Sequence, residues 1–181
     1  GENKDKVRLE LDKQVLRRTA AVLVSGAAAL VLLYLGTAAA GKVLPLPDPL
    51  DPLVAPGALL GSCLLLLAAA MGVCWRTVAA GLRGLLRAPT ADSLPALAAA
   101  ASAVQLLVLL LRPGWYAPEK LCLFAGPAAL LLCLNGVGRL LEARTVRDNF
   151  DLVSAGVDHA AAYRLRDAKV VRAVTRGLSE P

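Results

Sequence analysis

The chain has 181 residues, is 57% hydrophobic with a mean hydropathy of +0.60, holds only 4% aromatics and carries a formal charge of +6. Its apolar content sits in long Ala, Leu and Val runs, which excludes the alternating or amphipathic patterning of an ordinary soluble core. The basic residues flank those runs without interleaved aromatics, which fits topogenic charge against anionic lipid and argues against a nucleic-acid partner.

Residues 1–18 mix Lys4, Lys6, Arg8, Lys13, Arg17 and Arg18 with four acids, and read as a solvated, helical approach to a membrane. No cleavable signal peptide follows from them, because the apolar run that comes next is too long for an h-region. The chain opens on Gly1 and ends at Pro181, and the expectation is a portion of a longer protein. A first span is expected over about 19–40, where Ser25, Gly26, Gly36 and Ala40 are small enough to let a neighbouring helix come close. Pro45, Pro47, Pro49, Pro52 and Pro56 then predict an extended, polyproline-like connection.

A second span is expected over about 57–75. It opens with Gly57-x-x-x-Gly61, a spacing that suits close helix packing, and ends at Trp75, an interfacial anchor. In RTVAAGLRGLLRAPTADS, Arg76, Arg83 and Arg87 project from an apolar piece broken by Gly81 and Gly84. That pattern predicts an amphipathic helix bent along the membrane surface, its arginines available to lipid or to a docking partner.

Thr90, Asp92 and Ser93 are N-cap candidates and Pro95 suits a first turn, so a third span is expected over about 94–111. Trp115 and Tyr116 mark the opposite interface. The fourth span, about 121–141, is uncharged from Leu121 to Gly138 and carries Pro127 as a predicted kink. Gln105 and Asn135 are the polar groups nearest mid-span, and each needs a hydrogen-bonding partner on another helix. Residues 142–181 read as a helix leaving the membrane and then the edge of a small soluble unit. His159 beside Asp158 reads as a surface pair, and no catalytic residue is assigned.

Seventeen Lys and Arg lie in 1–18, 76–93 and the tail from Arg139, against Lys42, Arg112 and Lys120 in the alternate loops. This bias places both termini in the cytoplasm. The expected fold class is therefore an all-α integral membrane protein: a charged segment 1–18, a four-helix domain 19–141 and a cytosolic tail 142–181.

Cys63 and Cys74 are eleven residues apart, as are Cys122 and Cys133. Eleven residues return to nearly the same helix face. Spans two and four run in one direction, so Cys63 could sit level with Cys122, and Cys74 with Cys133. Two thiol pairs would suit a soft ion such as Cu(I), although cysteines in such runs more often simply pack as small apolar residues. No other cofactor is evident.

The segment WRTVAAGLRGLLRAPTADSLPALAAAAS resembles the stretch of heavy-metal-translocating P-type ATPases in which a glycine-bent helix leads to an Asn-Met-Asp-type start of the next span, here Ala91–Leu94. VGRLLEART, Val137 to Thr145, resembles the exit of the following span towards the actuator domain. The likeness covers about residues 20–150 and implies a bacterial cytoplasmic membrane. The sequence also departs from that family. Phe124 is followed by Ala125 where the family places an ion-receiving carboxylate, no span holds a Cys-Pro-Cys site, and neither Asp-Lys-Thr-Gly-Thr nor Thr-Gly-Glu occurs. Two functions are expected: a non-catalytic membrane scaffold whose tail meets a cytosolic partner or a further domain, or the membrane segment of a metal-cation transporter whose catalytic domains lie outside this chain.

Overall fold

A computed structural model describes residues 2–41, 46, 48–117 and 122–154. Among them every regular element is helical: α1 (Glu2–Gly41), α2 (Pro56–Val73), α3 (Trp75–Arg87), α4 (Ser93–Leu111) and α5 (Ala125–Ser154), with short 3-10 turns at Asp48–Leu50 and Pro113–Trp115. Three helices are long and apolar enough to cross a membrane: Lys4–Ala40, Pro56–Val73 and Ser93–Leu111, with mean hydropathies of 2.1, 1.9 and 2.2. Only 28% of each apolar window is covered by protein. The rest is exposed and mostly Ala, Leu and Val, a surface compatible with contact to lipid. In α5 the charge-free part runs from Ala125 to Gly138, about 21 Å at 1.5 Å per residue, short of a full crossing by itself.

The spine is an antiparallel pair of α1 and α5, the most extensive helix contact in the fold. At one end Leu123 lies against Gly36, and Gly126 lies against the Leu33 backbone, where a Cβ would come within 2.9 Å of the Leu33 nitrogen. Further along, a Cβ at Gly26 would come within 3.3 Å of Cys133 Sγ, and one at Gly136 within 3.2 Å of Val22. The small residues of the first span thus do what their size predicts: Ser25, Ala28 and Ala29 are buried and the two backbones approach closely. Ala40 is exposed. Beyond the apolar zone the same pair continues as a charged stalk, with Arg8 bonded to Asp151 (3.3 Å), Arg147 facing Asp12 (3.8 Å), and Lys4 donating to the Ser154 carbonyl (3.2 Å). Residues 2–18 are therefore the first part of one uninterrupted helix about 60 Å long.

α2 and α4 complete the bundle, joining Leu59, Cys63, Leu67 and Leu106 to Leu32, Leu35 and Ala129 in one core. Pro56 opens α2 in the first turn, where its missing N–H costs nothing. Over 48–55 the proline-rich link turns instead of extending. Asp51 Oδ1 accepts the Leu53 N–H at 2.8 Å, and the Asp51 carbonyl accepts from Val54 and Ala55. Pro45 and Pro47 lie outside the described residues.

Three local expectations are corrected. Pro127 does not kink α5, because the helix begins at Ala125 and the proline falls in the first turn, where backbone donors are unpaired anyway. Gly57 and Gly61 face open space, with nothing within 4 Å of a built Cβ, so that motif makes no close contact here. The break after α2 falls at Cys74 (φ −95°, ψ 20°), and α3 then runs through Gly81 and Gly84 without interruption. The helix after the fourth apolar run continues to Ser154; the tail beyond, with Asp158, His159 and the basic residues from Arg164 onward, lies outside the described residues.

Candidate functional site

The densest polar chemistry lies at the end of the bundle where the stalk begins. Gly81 is buried on α3 because α4 starts directly beneath it: a Cβ there would overlap the Asp92 carbonyl and come within 2.6 Å of Ala96 Cβ. A Cβ at Gly84 would come within 3.1 Å of Ser93 Oγ, which also accepts the Thr90 N–H at 3.0 Å. These two glycines press α3 onto the first turn of α4, and Val78, Ala96, Ala99 and Leu132 pack beneath them. Arg76, Arg83 and Arg87 stay exposed along α3, at helical spacings of seven and four.

Asp92 occupies the N-cap of α4 but makes no side-chain cap bond. Its carboxylate turns to α5 instead. Asn135 Nδ2 donates to Oδ1 at 2.8 Å, Arg139 Nε donates to the same oxygen at 3.4 Å, and Arg139 Nη2 donates to Oδ2. The Asp92 side chain is 6% exposed and that of Arg139 43%. Arg18 of α1 donates to the Arg139 carbonyl, and Glu142 pairs with Arg139 from the solvent side at 3.5 Å. Burial would raise the Asp92 carboxyl, but the hydrogen bonds from Arg139 and Asn135, with the charges of Arg139 and Arg18, outweigh it and hold the group below its ordinary range. One carboxylate thus fastens the α3–α4 corner to α5 and, through Arg18, to α1.

The expected polar residues fall into two separate places. Asn135 belongs to this clamp. Gln105 lies towards the far end, where its amide donates to the Cys122 carbonyl at 2.8 Å and its oxygen accepts from Phe124 N–H at 3.4 Å. It steadies the non-helical lead-in to α5 and makes no helix-to-helix bond. Tyr116 at the same end donates to the Pro52 carbonyl at 3.2 Å.

The thiols also divide. Cys74 meets Ser25 and comes close enough to Cys133 for the two groups to interact electrostatically, while Cys133 donates weakly to the Val22 carbonyl at 3.7 Å. Cys63 is buried at 1% exposure among leucines, and Cys122 is exposed. Among the described residues no three His, Cys, Asp or Glu side chains gather as a metal centre would require. No family model, curated protein or solved structure matches the chain.

Asp92 is the residue that sequence reasoning placed but did not understand. Its signal was present. Asn135 and Arg139 are four apart on one helix face, and Asp92 is the sole acid between Asp51 and Glu119.

Proposed function

We propose that the chain is a non-catalytic, four-span membrane scaffold of the kind that forms the ion-receiving N-terminal portion of heavy-metal P-type ATPases. In this reading the non-helical residues 122–124 and the apolar part of α5 together make the fourth crossing. Both termini lie in the cytoplasm of a bacterial cell. The observation that carries it is the clamped corner: α3 is fixed across the end of the bundle by Gly81 and Asp92, with Arg76, Arg83 and Arg87 outward, beside a stalk of α1 and α5 that leads towards a cytosolic partner or a further domain. Such a part supplies rigidity and a cationic shelf, and chemistry is left to whatever joins the stalk.

The proximity of Cys74 and Cys133 favours one second reading, the membrane segment of a metal-cation transporter, with these thiols as a soft-ion step. Anaerobic Cu(I) titration of the purified chain against a competing chelator separates the two. The scaffold reading expects no tight stoichiometric binding. Tight binding that is lost in Cys74→Ser/Cys133→Ser would replace it with the transporter reading.

A further inference from the structure

Beside the clamp, α1, α3 and α5 enclose an open groove of about 540 Å³. Arg17 and Arg18 line it from α1, Arg76 from α3 and Arg139 from α5, against only Glu10 and Asp92. Asp92 is already committed to Arg139, so the remaining lining is net cationic. Among the described residues neither Arg17 nor Arg76 has a carboxylate in ion-pair range. Gln14 and Thr77 add neutral hydrogen-bonding groups to the wall.

The position of the groove is as telling as its charge. It lies where the charged half of α1 gives way to its apolar half, with Ala21 and Val73 on its apolar side. Trp75, 58% exposed, stands at its rim with the Arg76 guanidinium 5.9 Å from the ring centroid. Unpaired arginines, hydroxyl and amide donors above, and apolar wall with an indole below, match a molecule with an anionic head and a greasy body.

We infer that this groove seats the phosphate headgroup of an acidic phospholipid of the cytoplasmic leaflet, held by Arg17 and Arg76. The inference rests on the membrane placement proposed above. Guanidinium groups suit phosphate because they offer paired N–H donors in a plane, and basic pockets between helices on the cytoplasmic side are the expected seats of acidic headgroups.

The test uses Trp75 as its own reporter. In a Trp115→Phe background Trp75 is the sole indole, and its quenching is read in bilayer discs containing phosphatidylglycerol or phosphatidylcholine with brominated acyl chains. The expected result is a preference for phosphatidylglycerol of at least about five-fold, the scale of one basic residue at a membrane surface. It should fall to parity in Arg17→Gln/Arg76→Gln and persist in Arg112→Gln at the opposite end of the bundle. Equal quenching of the wild-type background by both lipids would overturn the site while leaving the membrane placement intact. No quenching by either would overturn the placement itself. Loss of the preference on adding inorganic phosphate at millimolar concentration would show that free phosphate is the occupant, and would overturn the lipid assignment.

Discussion

Asp92 and Arg139, 47 positions apart in the chain, form an ion pair across the end of the helix bundle, with the carboxylate almost wholly buried and the guanidinium reaching it from the solvent side. Removing the arginine leaves a buried charge with Asn135 as its remaining partner. Arg139→Met should therefore destabilise the protein by about 3 kcal/mol, the low end for a broken buried pair because Arg139 is partly exposed. Asp92→Asn keeps a hydrogen-bonding group against Asn135 and should cost less. Thermal unfolding in detergent, followed by circular dichroism, ranks the two. Equal and negligible shifts would show that the pair does not hold the corner.

The same carboxylate gives stability a defined acid limb. Its folded-state pKa lies below the ordinary value of 3.8, so its contribution is fully present above that value and is lost as pH falls through the folded pKa. Between pH 5 and 7 the Asp92 contribution should be flat, and below about 4 the wild type should lose stability faster than Asp92→Asn. Parallel curves for the two proteins over that acid range would remove Asp92 from the account.

The glycines divide by what a methyl group would meet. Gly81→Ala forces a Cβ into the Asp92 carbonyl and Ala96, and overpacking of this kind costs about 1–3 kcal/mol. Gly57→Ala meets nothing within 4 Å and should be neutral, or stabilising by up to about 1 kcal/mol through helix propensity. The melting temperature of Gly81→Ala should fall, and that of Gly57→Ala should stay level or rise. A neutral Gly81→Ala would mean that α3 does not rest on α4.

The extent to which the sequence disclosed this fold follows from how local each signal was. Long charge-free runs are local, and two of the helices they predict, α2 and α4, appear within a residue or two of their expected ends, while α1 starts far ahead of its apolar run. The size of Ser25, Gly26 and Gly36 is local too, and correctly marks a close helix contact. Gly57-x-x-x-Gly61 has the same local form, yet its face meets no helix, because spacing records an ability to pack and not a partner. Pro127 makes no kink because a proline's effect depends on where its helix begins, and α5 begins just after the residues, 122 and 124, that Gln105 holds in non-helical backbone. The role of Asp92 is a tertiary fact. An acid two residues before Leu94 looks like a cap until α5 supplies an amide and a guanidinium.

Thiol chemistry should follow burial. Cys122 is exposed and Cys133 half-buried, while Cys63 lies in the apolar core. A small maleimide applied to single-cysteine variants in detergent should label them in the order Cys122, Cys133, Cys63, with Cys63 reacting only on unfolding. A short bifunctional thiol reagent should join Cys74 to Cys133 within one chain, as expected from their mutual proximity. Rapid labelling of Cys63 in the folded protein would contradict its place in the apolar core that α2 shares with α1, α4 and α5.

The stalk makes the last prediction, because its register is fixed by distant pairs and not by any sequence motif. Lys4 meets Ser154, Arg8 meets Asp151 and Arg147 faces Asp12, so each step forward on α1 matches a step back on α5. These contacts are largely solvent-exposed, and surface ion pairs contribute little and weaken with salt. The pairing must therefore draw its geometry from the apolar zone, where Gly126 and Gly136 hold the helices together. Arg8→Cys/Asp151→Cys should form an intramolecular cross-link on mild oxidation at both low and high salt, and Arg8→Cys/Glu142→Cys should not, since Glu142 lies more than two helical turns away along α5. Salt-sensitive cross-linking would mean that the charges themselves join the stalk. Cross-linking of the second pair would mean that the two helices slide in register.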